Sequence, residues 1–201
     1  MKVLITGGNG DIAQATAKLL LSELPGDIIV YAPGKKILDV TFDYHADKEI
    51  GKFKPDVLIN NAGFIEPERI DSGHHFAIDN WIKQIDVNLI GTYLCSRAAI
   101  RYGAKQIINI GSSAGEEGKA EWSAYCAAKA GVKRFTESLY AEGHNATYLC
   151  IGRTQTKMRA ALFGEEDPNT LLAPEEVART LLQIILNPEE YAGKSVDLYV
   201  S

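Results

Sequence analysis

The chain is short of the features that mark several large classes of protein. It has only three cysteines, Cys95, Cys126 and Cys150, an odd number with no metal-ligand spacing. Reduced and buried thiols are therefore expected rather than a redox role, and no metal site is expected. No apolar run approaches the ~18 residues that a membrane-spanning helix needs. Positive charge is in deficit, with 21 Lys and Arg against 26 Asp and Glu, which argues against a nucleic-acid surface. The opening MKVLITGG reaches a glycine turn too soon for the apolar region of a signal peptide, so the cytoplasm is the expected compartment. Internal repeats, low-complexity tracts and linker-like shifts in composition are also missing. The 201 residues (1–201) are expected to form one domain around one core.

What the chain does have is short apolar runs alternating with helical stretches. KVLIT (2–6), DIIVY (27–31), KILDV (36–40), DVLIN (56–60), QIINI (106–110), ATYLCI (146–151) and SVDLYV (195–200) read as strands. Helical patterns fall at about 11–23, 78–102, 122–142 and 174–187. Near-continuous Val, Ile and Leu runs separated by helices are what a parallel sheet covered on both faces requires. The expected fold is α/β: a Rossmann-like, doubly wound parallel sheet of about seven strands with helices on both faces. Only residues 32–35 separate the second and third runs, too few for a crossover helix.

TGGNGDIA (6–13) sits where the first strand hands over to the first helix. Gly7, Gly8 and Gly10 would let the backbone turn tightly and approach a pyrophosphate, and the N–H groups opening the helix would favour that anion. Asp11 suits a helix N-terminus but places a carboxylate near the same phosphates.

Three Tyr-x-x-x-Lys pairs occur, at Tyr31–Lys35, Tyr44–Lys48 and Tyr125–Lys129. With nine tyrosines and fourteen lysines, chance alone supplies roughly one. Pro33-Gly34 interrupts the first pair, and a solvated loop or helix start accounts for the second. The third lies in a helical pattern, where an i,i+4 pair shares one face.

These stretches together resemble the short-chain dehydrogenase/reductase family, and the likeness runs through most of the chain. TGGNGDIA is similar to its cofactor turn, LDVT (38–41) to its adenine segment and NNAG (60–63) to the motif ending its fourth strand. DVNLIGTY (86–93) carries Asn88 where the family has its catalytic asparagine. NIGSSAG (109–115) places Ser112 thirteen residues before Tyr125, the family's spacing. IGRTQT (151–156) resembles the family's Pro-Gly-x-x-x-Thr, with Ile151 in place of the proline, and Ala13 replaces the last glycine of the cofactor turn.

The resemblance implies an NAD(P)(H)-dependent oxidoreductase that interconverts a small carbonyl compound and its alcohol. Tyr125 would donate the proton, Ser112 would hydrogen-bond the substrate oxygen, and Lys129 would lower the tyrosine's pKa and hold the nicotinamide ribose. Asn88 would link Lys129 to solvent. The implied cofactor residues are Thr6, Gly7, Gly8, Asn9, Gly10, Asp11 and Ile12, then Lys35, Asp39 and Val40. Asn60, Asn61, Ala62, Gly63, Tyr125, Lys129, Gly152, Thr154 and Thr156 complete the set.

An acid just after the second strand would mark NAD; here APGKK follows Tyr31, so Lys35 and Lys36 favour NADP(H) over NAD(H). Residues of about 157–170 stand where the family has its substrate lid. Met158, Leu162 and Phe163 are candidates for an apolar lining there, with Arg159 or the Glu165–Asp167 run for polar contacts. His74 and His75 read as surface-loop histidines. Helices 78–102 and 122–142 are those the family uses in homodimers or homotetramers. Two alternatives stand beside this reading: a nucleotide-sugar reductase or epimerase, suggested by the glycine spacing, and a non-catalytic NADP-binding regulator.

Overall fold

Strand β1 (Lys2–Ile5) explains in miniature how the sheet forms. Val3 and Ile5 point to one face and Leu4 to the other, and all three are fully buried. A strand covered on both sides must be apolar at every position rather than at alternate ones. The computed structural model describes residues 1–24, 26, 28–73 and 77–200. Within them, β1 is followed by α1 (Asp11–Glu23), β2 (Ile29–Tyr31), α2 (Asp43–Phe53) and β3 (Val57–Asn60). Then come α3 (Ala77–Ile85), a π-helical turn (Asp86–Ile90) and α4 (Gly91–Arg101), which run on as one interrupted helix. After β4 (Gln106–Ile110) come α5 (Ser123–Ala141), β5 (Ala146–Ile151), α6 (Lys157–Phe163), α7 (Pro174–Leu186), α8 (Pro188–Tyr191) and β6 (Ser195–Leu198).

Among the described residues the sheet has six strands in the order β2-β1-β3-β4-β5-β6, and every neighbouring pair is parallel. One core packs the Val3, Ile5, Ile59, Ile108 and Leu149 side of the sheet against α1 and α7. The other packs Leu4, Leu58 and Ile107 against side chains of α2, α4 and α5. Burying each such Leu, Ile or Val contributes about 1.5–3 kcal/mol relative to exposure. β2 lies on one side of β1 and β3 on the other, so the chain reverses its direction across the sheet after β2. That reversal opens a crevice at the strands' carboxyl ends, where ligands of such sheets bind.

The run 36–40 is not a strand. After β2 the backbone folds into a turn in which Gly34 O accepts the N–H groups of Ile37 and Leu38. Leu38 and Val40 are buried as plugs against α4 rather than as members of a ladder. The four-residue link cannot carry a crossover, so β2 remains the edge strand. Helix α2, for which no helical pattern was expected, covers this region instead through Ala46 and Ile50.

Candidate active site

The turn between β1 and α1 forms one end of the crevice. Gly7 adopts φ +69°, and a Cβ there would lie 2.8 Å from Ala62 Cα. Both the left-handed backbone and the close approach require glycine. Gly8 has a different job. Its N–H donates to Pro33 O at 3.0 Å, and a side chain would collide with the Ala32 carbonyl. Thr6 Oγ1 accepts the N–H groups of Asn61 and Ala62, both at 3.0 Å, which fastens the end of β1 to the end of β3. Asn60 turns inward, donating to Ser96 Oγ and Asn109 Oδ1, both at 2.8 Å. Thr6, Gly8 and Asn60 therefore support the crevice from beneath rather than line it.

A cleft of about 420 Å³ runs from this turn across the strand ends. Gly7, Asn9, Gly10, Asp11, Ile12, Lys35, Asp39, Val40, Asn61, Ala62 and Gly63 line one part. Ser112, Tyr125, Lys129, Gly152, Thr154 and Thr156 line the other. A dinucleotide suits this cradle. Helix α1 begins at Gly10 with no side-chain cap, so the free N–H groups of its first turn are available to phosphate oxygens. The Asp11 carboxylate beside them is already engaged. It accepts the Lys157 N–H at 2.7 Å and lies 3.4 Å from the Lys157 ammonium. Lys35 is 75% exposed and 3.5 Å from Asp39. Burial raises the Asp39 carboxyl, but the Thr41 hydroxyl and N–H and the Lys35 charge outweigh it and hold the pKa below its usual value.

The opposite wall is built by β4 and α5. Ser112 follows the strand end and caps a short 3-10 turn (Ser113–Gly115), its Oγ accepting the Ala114 N–H at 3.2 Å. Tyr125 and Lys129 stand one turn apart on α5, with the Lys129 ammonium 5.6 Å from the tyrosine ring centre. Ser112 and Tyr125 line the same part of the cleft. Burial pushes the Tyr125 phenol up to about 12, and the neighbouring Ser112 side chain opposes that rise. Lys129 is 5% exposed and donates to Ile110 O at 2.9 Å. Burial lowers its pKa to about 8, against a smaller opposing pull from Cys150. Desolvation is the leading cause of the shift in both groups.

Asn88 sits on the π-helical turn, a feature common at functional sites. It is fully buried. Its Nδ2 donates to Phe64 O at 2.6 Å and Gln84 O at 2.7 Å, while Oδ1 accepts the Phe64 N–H at 3.1 Å. Its own carbonyl accepts the Thr92 hydroxyl at 2.9 Å. Asn88 therefore brackets the loop after β3 and does not line the cleft.

Helix α6 adds a further wall. Met158, Leu162 and Phe163 line the cleft, and Thr156 caps the helix through the Arg159 N–H. Arg159 makes a bidentate pair with Glu166 at 2.6 and 2.8 Å. Trp122 links the two walls, 5.9 Å from the Phe163 ring and 5.8 Å from the Tyr125 ring. Trp122, Phe64, Lys83 and Val87 also line the cleft and carried no signal in the sequence. The other two tyrosine pairs are placed elsewhere. Tyr31 donates to Glu49 at 3.1 Å while Lys35 meets Asp39. Tyr44 and Lys48 stack on the outside of α2. His74 and His75 lie outside the described residues. Cys95 and Cys150 are buried, Cys126 is half-buried, and none is bonded to another. Among the described residues no helix is long and apolar enough to cross a membrane, and no acid, His and Cys cluster is placed to hold a metal ion.

A family profile described as short chain dehydrogenase matches residues 41–167. Cis-4-hydroxycyclohexanecarboxylate dehydrogenase of Sinomonas cyclohexanicum is 30% identical over 219 aligned positions, covering 89% of this chain and 86% of its own. A 3-oxoacyl-[acyl-carrier-protein] reductase of a Synechocystis strain is 29% identical, covering 92% of this chain and 89% of its own. The ligand-free aldohexose dehydrogenase of Thermoplasma acidophilum superposes with a TM-score of 0.82 at 22% identity, over 98% of this chain and 92% of that one. The chain belongs to the short-chain dehydrogenase/reductase family and is an NAD(P)-dependent oxidoreductase interconverting carbonyl compounds and alcohols.

Proposed function

We propose that this chain uses NADP(H), with Tyr125 as the proton donor and acceptor. The observation that carries the reading is that Ser112, Tyr125 and Lys129 line the same cleft as the uncapped start of α1. When bound, the nicotinamide supplies or takes up the hydride. The chain's task is to manage the proton and the charge on oxygen. At neutral pH a phenol with a raised pKa is protonated, so Tyr125 is poised to donate to the carbonyl oxygen in reduction. Ser112 donates to the same oxygen as negative charge grows there. Lys129, still protonated below about 8, stabilises the phenolate that remains and offers its other N–H groups to the nicotinamide ribose. Asn88 keeps Phe64, the residue after NNAG, in place through its N–H and carbonyl.

Residues 1–201 act as one domain, with 157–170 as a substrate lid. Trp122, Phe163, Phe64 and Met158 suit a compact apolar ring bearing the carbonyl. The alicyclic hydroxy acid in one relative's name makes 4-oxocyclohexanecarboxylate the first ketone to try. Lys35 lines the cleft, and no acid follows Tyr31 directly, which favours the 2′-phosphate. A homo-oligomer built on α3 to α5 would cover the exposed Ile78, Ile82, Ile90 and Tyr93. The three free thiols fit the cytoplasm. Fluorescence titration with NADPH and NADH tests the cofactor choice. NADPH binds more tightly, and changing Lys35 and Lys36 to Ala removes the difference; equal binding of both nucleotides by the unaltered protein would reject NADP(H) preference.

A further inference from the structure

Tyr148 is the largest side chain buried in the sheet, 1% exposed in the middle of β5. It points toward α5 with Cys150, against Val132 and Leu89. Its ring occupies space that a side chain at 111 would need. A Cβ on Gly111 would lie 2.1 Å from Tyr148 Cζ and 2.4 Å from its oxygen. Its hydroxyl accepts the Ser112 N–H at 3.3 Å. The preceding N–H, of Gly111, donates to Leu149 O at 2.7 Å. Two successive peptide groups at the end of β4 are thus tied to two successive residues of β5. The second tie, unlike the first, is made by a side chain.

That tie bears on catalysis because a peptide N–H fixes the peptide plane, and the plane directs the Cα–Cβ bond carrying the serine hydroxyl. Ser112 Oγ itself accepts the Ala114 N–H at 3.2 Å and lines the cleft beside Tyr125. We propose that Tyr148 is a positioning residue for the reaction: through the Ser112 N–H it sets where the serine hydroxyl meets Tyr125 and the substrate oxygen. The proposal rests on the reading of Ser112 and Tyr125 as catalytic residues. Gly111 and Tyr148 then form a matched pair, the absent side chain making room for the ring that holds the serine.

The test is a double-mutant cycle of Tyr148→Phe and Ser112→Ala, with NADPH and 4-oxocyclohexanecarboxylate as the probes. Phenylalanine keeps the ring against Gly111 and deletes only the hydroxyl. Tyr148→Phe lowers kcat about fivefold, the size of one neutral hydrogen bond, and leaves the NADPH Kd within about twofold of its original value. In the Ser112→Ala background the same change alters kcat less than about twofold, because nothing remains to be positioned. A Tyr148→Phe effect of equal size in both backgrounds overturns the positioning role alone. Turnover unaffected by Ser112→Ala overturns the catalytic reading of the serine, and this proposal with it.

Discussion

Lys129 should destabilise the fold it serves, and Lys129→Met should make the protein more stable and inactive. The ammonium is buried, and a pKa drop from 10.5 to about 8 corresponds to about 3 kcal/mol of unfavourable burial at neutral pH. Methionine fills a similar volume without charge. It loses the bond to Ile110 O, and leaving that carbonyl alone costs about 1 kcal/mol. The net expectation is a gain of about 2 kcal/mol at pH 7. The penalty depends on proton binding. Above 10.5 the lysine is neutral folded and unfolded, so its penalty vanishes. As pH falls through 8 the unfolded chain holds the proton more tightly, and the penalty is complete. Urea unfolding of both proteins without nucleotide, at pH 7 and pH 10, reads the difference. The variant's advantage closes by pH 10. An advantage that is absent at pH 7, or the same at both values, refutes the burial argument.

Two further changes probe the cleft. Asp11→Asn removes a carboxylate beside the start of α1 and loosens its hold on Lys157. NADPH should bind about two- to fivefold more tightly at low salt, and the gain should shrink at high salt; both follow from titrations at two ionic strengths. Gly111→Ala places a methyl group inside the Tyr148 ring. Overpacking of this kind costs about 1–3 kcal/mol, and the urea midpoint should fall accordingly.

The parallel sheet was readable because its strands are buried on both faces, which writes unbroken runs such as VLIN at 57–60 into the sequence. KILDV shares the Val, Ile and Leu of such runs, and composition cannot distinguish a ladder member from a buried plug; the missing crossover length was the better guide. No helical pattern was expected at α2 because its buried side is narrow. Only Ala46 and Ile50 are buried, while Asp43, Lys48 and Lys52 face outward. At the site, Ser112, Tyr125 and Lys129 were legible as a spaced set, because a strand end and one helical turn fix their geometry. Trp122, Lys83 and Val87 come to the cleft through tertiary packing and have no local pattern. The same holds for Tyr148, 37 positions from Gly111 and recognisable only once β4 and β5 lie side by side. The π-helical turn that carries Asn88 is likewise set by packing rather than by periodicity.

The central claim is that Tyr125 moves the proton while the nicotinamide moves the hydride. The most direct test follows deuterium from 4-deuterated NADPH into the carbinol carbon of the alcohol product, for the unaltered protein and for Tyr125→Phe. The account predicts deuterated alcohol from the first, and from the second a loss of turnover of at least about 100-fold, the contribution of a well-placed general acid, with NADPH binding retained. Label transfer at an undiminished rate in Tyr125→Phe would contradict it.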